Sequence, residues 1–459
     1  VEIRKVGDRL VCTVQSKTEN EVLLLEKGPV FPELQMIHQR RDGVLVDVKI
    51  NGGIYVLEND ERSGSSIKYA TLQKPGELKL YATANKKDYM SDFLPVRNGG
   101  VVAVVIENSF PLLKFMEDGS KKWKTLDIDL GIGDYSLLAT DSTSNSISFS
   151  FSSPSKPYSK YSFQLNTNAL KRLSEPASIN PRYYRYTTVK RLWAKSHDKT
   201  KIPITIHKSV QSKKSGTGLI LKVYGAYGAN TTPAYSAQDA ILLNQGYTIA
   251  YAHVRGESIL GSKWYKGGRE LQKKNSVMDY LACAEFLIDK GYTKSDLLVG
   301  YGNSAGGVVL AQAINLNPEL FNTVILDHPY LDVINTMMND TLPLTLDEYK
   351  EWGNPKEKET YDYIMSYSPY QNISDQEYPN VLLIASYKDY QTPAWQVAKY
   401  ASRLREHNLS SSEVILLTDM NSGHIGNTTG KEWIKLFAET YSFVKMNNEN
   451  PLSSKTHKH

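Results

Sequence analysis

A short apolar run, DLLVGY (296–301), leads into Gly302-Asn303-Ser304-Ala305-Gly306-Gly307, and the apolar stretch VVLAQA (308–313) follows. The first run reads as a strand and the last as a helix, so the glycine-rich residues between them must turn the chain sharply. Gly-x-Ser-x-Gly in that position predicts a tight elbow with Ser304 at its tip. The glycines avoid Cβ clashes. The hydroxyl then stands at the end of a sheet. The backbone N–H of Ala305 points to where an oxyanion would form, beside the positive end of the helix.

The surroundings of the elbow fit such a sheet. From residue 185 onward, apolar strands recur at 219–224, 248–253, 297–301, 324–327, 381–386 and 414–418. Helical patterns lie between or after them at 276–290, 395–406 and 433–444, with apolar residues at i, i+3, i+4 spacing. Strands buried on both faces that alternate with helices indicate a doubly wound, mostly parallel sheet, the α/β-hydrolase architecture. Residues 1–180 read differently. Short alternating runs such as RLVCTV (9–14), GVLVDV (43–48) and VVAVVI (101–106) are separated by turn signals at Asn51-Gly52-Gly53, Asn98-Gly99-Gly100 and Asp118-Gly119-Ser120. That spacing predicts an all-β array: a sandwich, a barrel or propeller blades. A four-stranded blade needs ~40–50 residues, so about four would fit. The expected boundary falls at 176–186, giving a β-rich region over 1–180 and a hydrolase domain over 185–459.

A serine hydroxyl is a weak nucleophile at its own pKa. It needs a base to take its proton and a carboxylate to orient that base, in the chain order Ser, acid, His. His424 sits between glycines in NSGHIG (421–426), just after the strand ending near Thr418. Two acids are candidates. Asp389 follows the strand 381–386, and Asp327 follows 324–326; Asp389 has the better order and loop position. No Cys/His cluster has metal-ligand spacing, and no glycine loop precedes a Lys-Ser or Lys-Thr pair. Neither a metal nor another cofactor is expected.

Bulk properties exclude other classes. The net charge of +5 over 459 residues is mild and not gathered in a stripe, apart from the tail Lys455–His459, so nucleic acid is not an expected partner. With only Cys12 and Cys283, a disulfide framework is excluded and a reducing compartment, the cytoplasm, is expected. No apolar run reaches the ~18 residues of a membrane span. The chain starts at Val1 without a basic-then-apolar leader, which suggests a fragment, a processed chain or a partial gene sequence.

The C-terminal half resembles the prolyl oligopeptidase family of serine peptidases, and within it oligopeptidase B and the prolyl-endopeptidase-like branch. The resemblance rests on VYGAYG (223–228), AHVRG (252–256) with LGSKWY (260–265), GNSAGG (302–307), LDVINTMMNDTLPLTLDEYKEWGNP (331–355), YSPYQNI (367–373) and MNSGHIG (420–426). It implies a catalytic domain following a seven-bladed propeller that screens out large substrates. The first 180 residues would then be the last three or four blades. It also implies Ser304, Asp389 and His424 as the triad, with the Tyr224 hydroxyl joining the Ala305 N–H in the oxyanion hole. Two departures stand out. The family's Asp-x-Arg is Asp389-Tyr390-Gln391 here, so a charged carbonyl donor becomes an amide. In the loop Arg255-Gly256-Glu257-Ser258-Ile259, Ile259 replaces the acid that oligopeptidase B links to a basic substrate side chain, and Glu257 is the nearby substitute. Gln391, Glu257 and Arg255 are the expected substrate contacts. The implied activity is a serine-type oligopeptidase acting on short peptides; the alternative is an esterase or thioesterase with little peptidase activity.

Overall fold

The computed structural model describes residues 1–6, 9–16, 19–26, 33–85, 88–96, 100–138, 145–174, 187–210, 218–231, 234–426 and 430–450. The expected boundary at 176–186, part of the turn at Asn98-Gly99-Gly100 and the tail Lys455–His459 lie outside the described residues. The chain divides into two compact units. One comprises Val1–Ile179, Thr232–Tyr235 and Ser258–Trp264, and the other Asn180–Thr231, Ser236–Glu257 and Tyr265–His459.

The first unit contains four four-stranded antiparallel sheets, each with its strands hydrogen-bonded in chain order. They begin at Glu2–Val6, Val44–Ile50, Tyr89–Pro95 and Asp134–Leu137, and end at Glu33–His38, Lys79–Thr83, Lys124–Thr125 and Ala169–Ser174. The strand Val101–Glu107 shows why the sheets stack. Its six apolar residues are all buried. Side chains alternate across a strand, so Val101, Ala103 and Val105 pack with Tyr55 and Ile67 of the preceding sheet. Val102 and Val104 pack with Phe149 and Phe151 of the following one. A sheet apolar on both faces requires a neighbour on each, which sets stacked blades apart from the two layers of a sandwich.

The second unit is built on one eight-stranded sheet. Its strands are β1 (Thr187–Lys195), β2 (Lys201–Ser209), β3 (Leu219–Val223), β4 (Thr248–Ala252), β5 (Leu298–Asn303), β6 (Thr323–Asp327), β7 (Asn380–Ser386) and β8 (Val414–Asp419). Their order is β1-β2-β4-β3-β5-β6-β7-β8. β2 pairs antiparallel with β1 and β4, and the remaining pairs are parallel. Helices α1 (Ala237–Asn244), α2 (Lys274–Asp289), α3 (Gly306–Leu316), α4 (Ala394–His407) and α5 (Gly430–Glu449) connect or flank the strands. Ile220, Ile249, Val299 and Ile325 share one face of the sheet with Leu243 of α1 and Val444 of α5. In such a sheet the loops at the carboxyl ends of the parallel strands collect the ligand-facing groups. Tyr224, Ser304, Asp327 and Asp389 all stand at or just beyond those ends.

Candidate active site

The elbow follows β5 directly. Ser304 has φ of 50°, a left-handed conformation that a non-glycine residue adopts at a cost of about 1–3 kcal/mol unless its surroundings hold it. Here they do. The Ser304 N–H donates to the Asp327 carbonyl at 3.0 Å, and the Ser304 carbonyl accepts from Gly307 and Tyr330, both at 2.9 Å. The flanking glycines are required by space. A Cβ on Gly302 would lie 2.6 Å from the Gly306 carbonyl oxygen, and one on Gly306 would lie 2.4 Å from that of Val223.

His424 bridges the serine and an acid. Its Nε2 lies 3.0 Å from Ser304 Oγ, and its Nδ1 lies 2.8 Å from Asp389 Oδ2. Asp389 is fixed by the turn that follows it. The N–H groups of Gln391 and Thr392 donate to Oδ1 at 2.8 and 2.9 Å, and the Thr392 hydroxyl donates to Oδ2 at 2.8 Å. Burial alone would raise the Asp389 pKa. The bonds from His424 and Thr392 outweigh it and hold the carboxyl below its ordinary value. An ionised Asp389 accepts a hydrogen bond from Nδ1–H, which leaves Nε2 as the acceptor for the Ser304 hydroxyl.

The other candidate acid is engaged elsewhere. Asp327 receives the Tyr301 hydroxyl at 2.6 Å on Oδ2 and faces His328 Nδ1 at 2.8 Å through Oδ1. The array continues beyond it. His328 Nε2 lies 2.7 Å from Ser386 Oγ, itself 2.7 Å from the hydroxyl of Ser422, two residues before His424. Asp327, His328 and Ser386 thus form a second Ser–His–Asp arrangement, with Ser386 buried at 1% exposure. It ties the ends of β6 and β7 to the loop carrying His424. Sequence reasoning did not find His328 or Thr392. The only signal was a polar pair, Asp327-His328, closing a buried strand.

Donors for a developing negative charge lie close to Ser304 in the chain or in space. The Tyr224 hydroxyl, just beyond β3, is hydrogen-bonded to Ser304. Burial, with the charges of Glu351 and Glu348 adding to it, pushes that phenol up to about 12, so it stays protonated and able to donate. The N–H groups of Ala305 and Gly306 have no backbone acceptor among the described residues. Tyr224→Phe is expected to lower kcat by ~10²–10³, the usual cost of one oxyanion donor, with a smaller change in KM. Steady-state ester hydrolysis measures both. A near-wild-type kcat would return Tyr224 to a packing role.

Two of the three residues expected to touch substrate, Arg255 and Glu257, are committed to the interior instead. Arg255 donates to Asp279 through Nε at 2.8 Å and Nη2 at 2.6 Å, and to Asp198 through Nη1 at 2.6 Å. Glu257 is fully buried. It accepts from the Thr231 hydroxyl at 2.7 Å and meets His253 Nδ1 at 3.3 Å. Ile259, also buried, belongs to the first unit. The Gln391 side chain is exposed, and its backbone N–H holds Asp389. Burial raises the Glu257 pKa to about 8, against hydrogen bonds from Thr231 and the Arg191 charge. His253, whose pKa burial drives down, stays neutral, and its Nδ1 accepts a hydrogen bond from the protonated Glu257 carboxyl. An acid whose folded pKa is raised contributes full stability below its unfolded value, ~4.3, and loses it as pH rises toward the folded one. A glutamine can make the same two bonds without titrating. Glu257→Gln is therefore expected to match the wild type in thermal unfolding at pH 5 and to exceed it at pH 8. A variant clearly less stable at both pH values would refute a protonated Glu257.

Among the described residues, no group of three or more His, Cys, Asp or Glu side chains is disposed to hold a metal. No described helix is long and apolar enough to cross a membrane.

Comparison with known proteins places this geometry. The model of the prolyl oligopeptidase family matches residues 233–450, and that of the prolyl oligopeptidase N-terminal beta-propeller domain matches residues 1–176. Protease 2 of Moraxella lacunata is 29% identical over 435 residues, covering 94% of this chain and 62% of that protein. Dipeptidyl aminopeptidase BI of Pseudoxanthomonas mexicana is 32% identical over 367 residues, 79% of this chain and 50% of its own. The human prolyl endopeptidase-like protein is 31% identical over 417 residues, 86% and 55%. The chain thus spans between half and two thirds of the length of these curated relatives. Oligopeptidase B from Trypanosoma brucei, solved with covalently bound antipain, superposes with a TM-score of 0.88 at 27% identity, over 98% of this chain and 66% of that one. This chain folds as a β-propeller domain followed by an α/β-hydrolase domain, and with both parts matched by models of one family, it belongs to the prolyl oligopeptidase family.

Proposed function

We propose that the protein is a serine-type peptidase that hydrolyses short peptides through an acyl-enzyme on Ser304. The observation that carries the reading is His424, held between the Ser304 hydroxyl and the carboxylate of Asp389. In this mechanism Ser304 Oγ attacks the scissile carbonyl while its proton passes to His424 Nε2. The carbonyl oxygen, now negative, takes hydrogen bonds from the Tyr224 hydroxyl and the Ala305 N–H. His424 then protonates the leaving nitrogen, and the C–N bond breaks to leave an ester on Ser304. A water deprotonated by His424 attacks that ester, and the proton returns to Ser304 Oγ as the acid departs. The names of Protease 2 and dipeptidyl aminopeptidase BI, and the antipain bound covalently to oligopeptidase B, support a peptidase.

A second reading keeps the chemistry and changes the substrate to esters or thioesters. Two observations favour it. The Glu257 carboxyl is buried and unavailable to a basic side chain, and position 391 offers an exposed amide rather than a guanidinium. A cationic side chain lowered into a pocket without a carboxylate is costly. Labelling with a fluorophosphonate probe tests the nucleophile common to both readings. Comparing kcat/KM for an amide and an ester of one acyl group then separates them: a peptidase turns over both, an esterase only the ester. The remaining parts of the proposal are a β-rich region over 1–180, a hydrolase domain over 185–459 and a cytoplasmic location. The two unbridged cysteines, Cys12 and Cys283, support that location.

A further inference from the structure

A slot of about 350 Å³ opens beside Ser304, between the sheet and α5. Its floor is Ile220, Val299, Ile325 and Ile384, one from each of four adjacent strands. Its wall is an aromatic ladder. Trp433, Phe437 and Tyr441 are four residues apart, hence on one face of the helix. Their successive rings stack at 6.1 and 6.5 Å with interplanar angles of 15° and 16°. The buried residues of α5, Phe443, Val444 and Asn447, all lie in its later part. Trp433, Leu436, Phe437 and Tyr441 remain half-buried along the slot, with Leu436, Phe437 and Tyr441 packed against the apolar cluster of the sheet. The floor is already buried, so an apolar group entering the slot gains free energy mainly by covering the half-buried rings, at roughly 25 cal/mol per Å² removed from water.

The charged groups along the slot are already paired. Lys222 is bonded to Asp239, and its ammonium lies 5.4 Å from the centre of the Tyr301 ring. Asp327 is bonded to Tyr301 and His328. The slot therefore calls for an apolar occupant rather than a charged one. Its mouth shows which part of the substrate that is. Ser304, His424 and Gly426 line it, whereas Tyr224 and Ala305 do not. In acyl transfer the carbonyl oxygen turns toward the oxyanion donors, and the leaving atom turns toward the base that protonates it. The slot lies on the His424 side.

We propose that this slot is the leaving-group subsite and that it takes a large apolar side chain, the one on the residue following the scissile bond in a peptide. The proposal rests on Ser304 and His424 acting as nucleophile and base. It is tested by acyl transfer, which enters the same subsite in reverse. The acyl donor is the p-nitrophenyl ester of N-acetyl-alanine, and glycinamide or phenylalaninamide competes with water for the acyl-enzyme. The amide's α-nitrogen attacks the acyl carbon, the bond to Ser304 Oγ breaks, and His424 relays the amine proton to that oxygen. Phenylalaninamide is expected to capture the acyl group at least ~10-fold more efficiently than glycinamide, a modest effect for a fitted apolar pocket. The substitution Leu436→Trp, which fills the slot, should bring that ratio down toward one. Phe437→Ala, which removes part of the wall, should lower it as well. A wild-type ratio near one, with ester hydrolysis intact, overturns the slot. So does a high ratio that survives both substitutions. Failure of the underlying reading looks different: no ester hydrolysis above that of Ser304→Ala, whatever the amine.

Discussion

Ser304→Ala is expected to abolish fluorophosphonate labelling and to lower kcat for ester hydrolysis by on the order of 10⁶, the loss typical when the nucleophile of such a triad is removed. The fold should survive. The backbone at 304 is held in its left-handed conformation by hydrogen bonds to Asp327, Gly307 and Tyr330 that involve no side-chain atom of Ser304. The substitution removes one hydroxyl and its bonds to His424 and Tyr224. Labelling, turnover and thermal unfolding together check the expectation. Undiminished labelling of a folded Ser304→Ala protein would end the serine-hydrolase reading.

Asp389→Asn should cost about 10⁴ in kcat without displacing His424. The geometry gives the reason. Oδ1 of Asp389 receives two backbone N–H groups, from Gln391 and Thr392, so the amide oxygen of an asparagine must occupy that place. Its NH₂ then faces His424 Nδ1, 2.8 Å from the present Oδ2. A donor there forces Nδ1 to accept, the ring proton moves to Nε2, and the base can no longer take the proton of Ser304. Asp327→Asn provides the contrast. Its carboxylate serves Tyr301 and His328, so the cost in kcat should stay within about tenfold. Single-turnover kinetics on an activated ester measures both variants. The reverse order of effects would hand the acid's role to Asp327.

The parts of the site legible in the sequence were those that local geometry dictates. A serine between glycines, after an apolar strand and before an apolar helix, has few conformations open to it, and the structure puts Ser304 in a left-handed turn there. His424 and Asp389 stood out because each follows a strand that must end at the same edge of a parallel sheet. Residues whose roles depend on long-range partners were not legible. Thr392 bonds Asp389 and the His328 carbonyl, 64 residues away in sequence. His328 meets Ser386 across 58 residues. Glu257 and Arg255 were expected to contact substrate, because nothing nearby in sequence announces Thr231, Asp198 or Asp279 as their partners. The strands β1 and β2 were missed for a different reason. TTVKRLWAK mixes charges into its apolar pattern because β1 is the edge strand and stays largely exposed, and the buried run IPITIH of β2 is short and flanked by lysines. In the first 180 residues the alternation showed strands, but sandwich and propeller differ in what covers the second face of each sheet, and the two-sided burial of Val101–Glu107 answers that.

The hydrogen at the α-carbon of Gly306 faces the carbonyl of Val223, the residue just before Tyr224. The gap between nucleophile and oxyanion donor is therefore a tolerance set by an atom that is not there. A single methyl group at 306 would act as a wedge between the end of β3 and the start of α3, and a shift of about 1 Å in a reacting geometry can cost 10²-fold in rate. A descendant of this chain could keep Ser304, Asp389, His424 and Tyr224 intact and still lose its chemistry through that one position, with every reactive group present and the spacing between them gone.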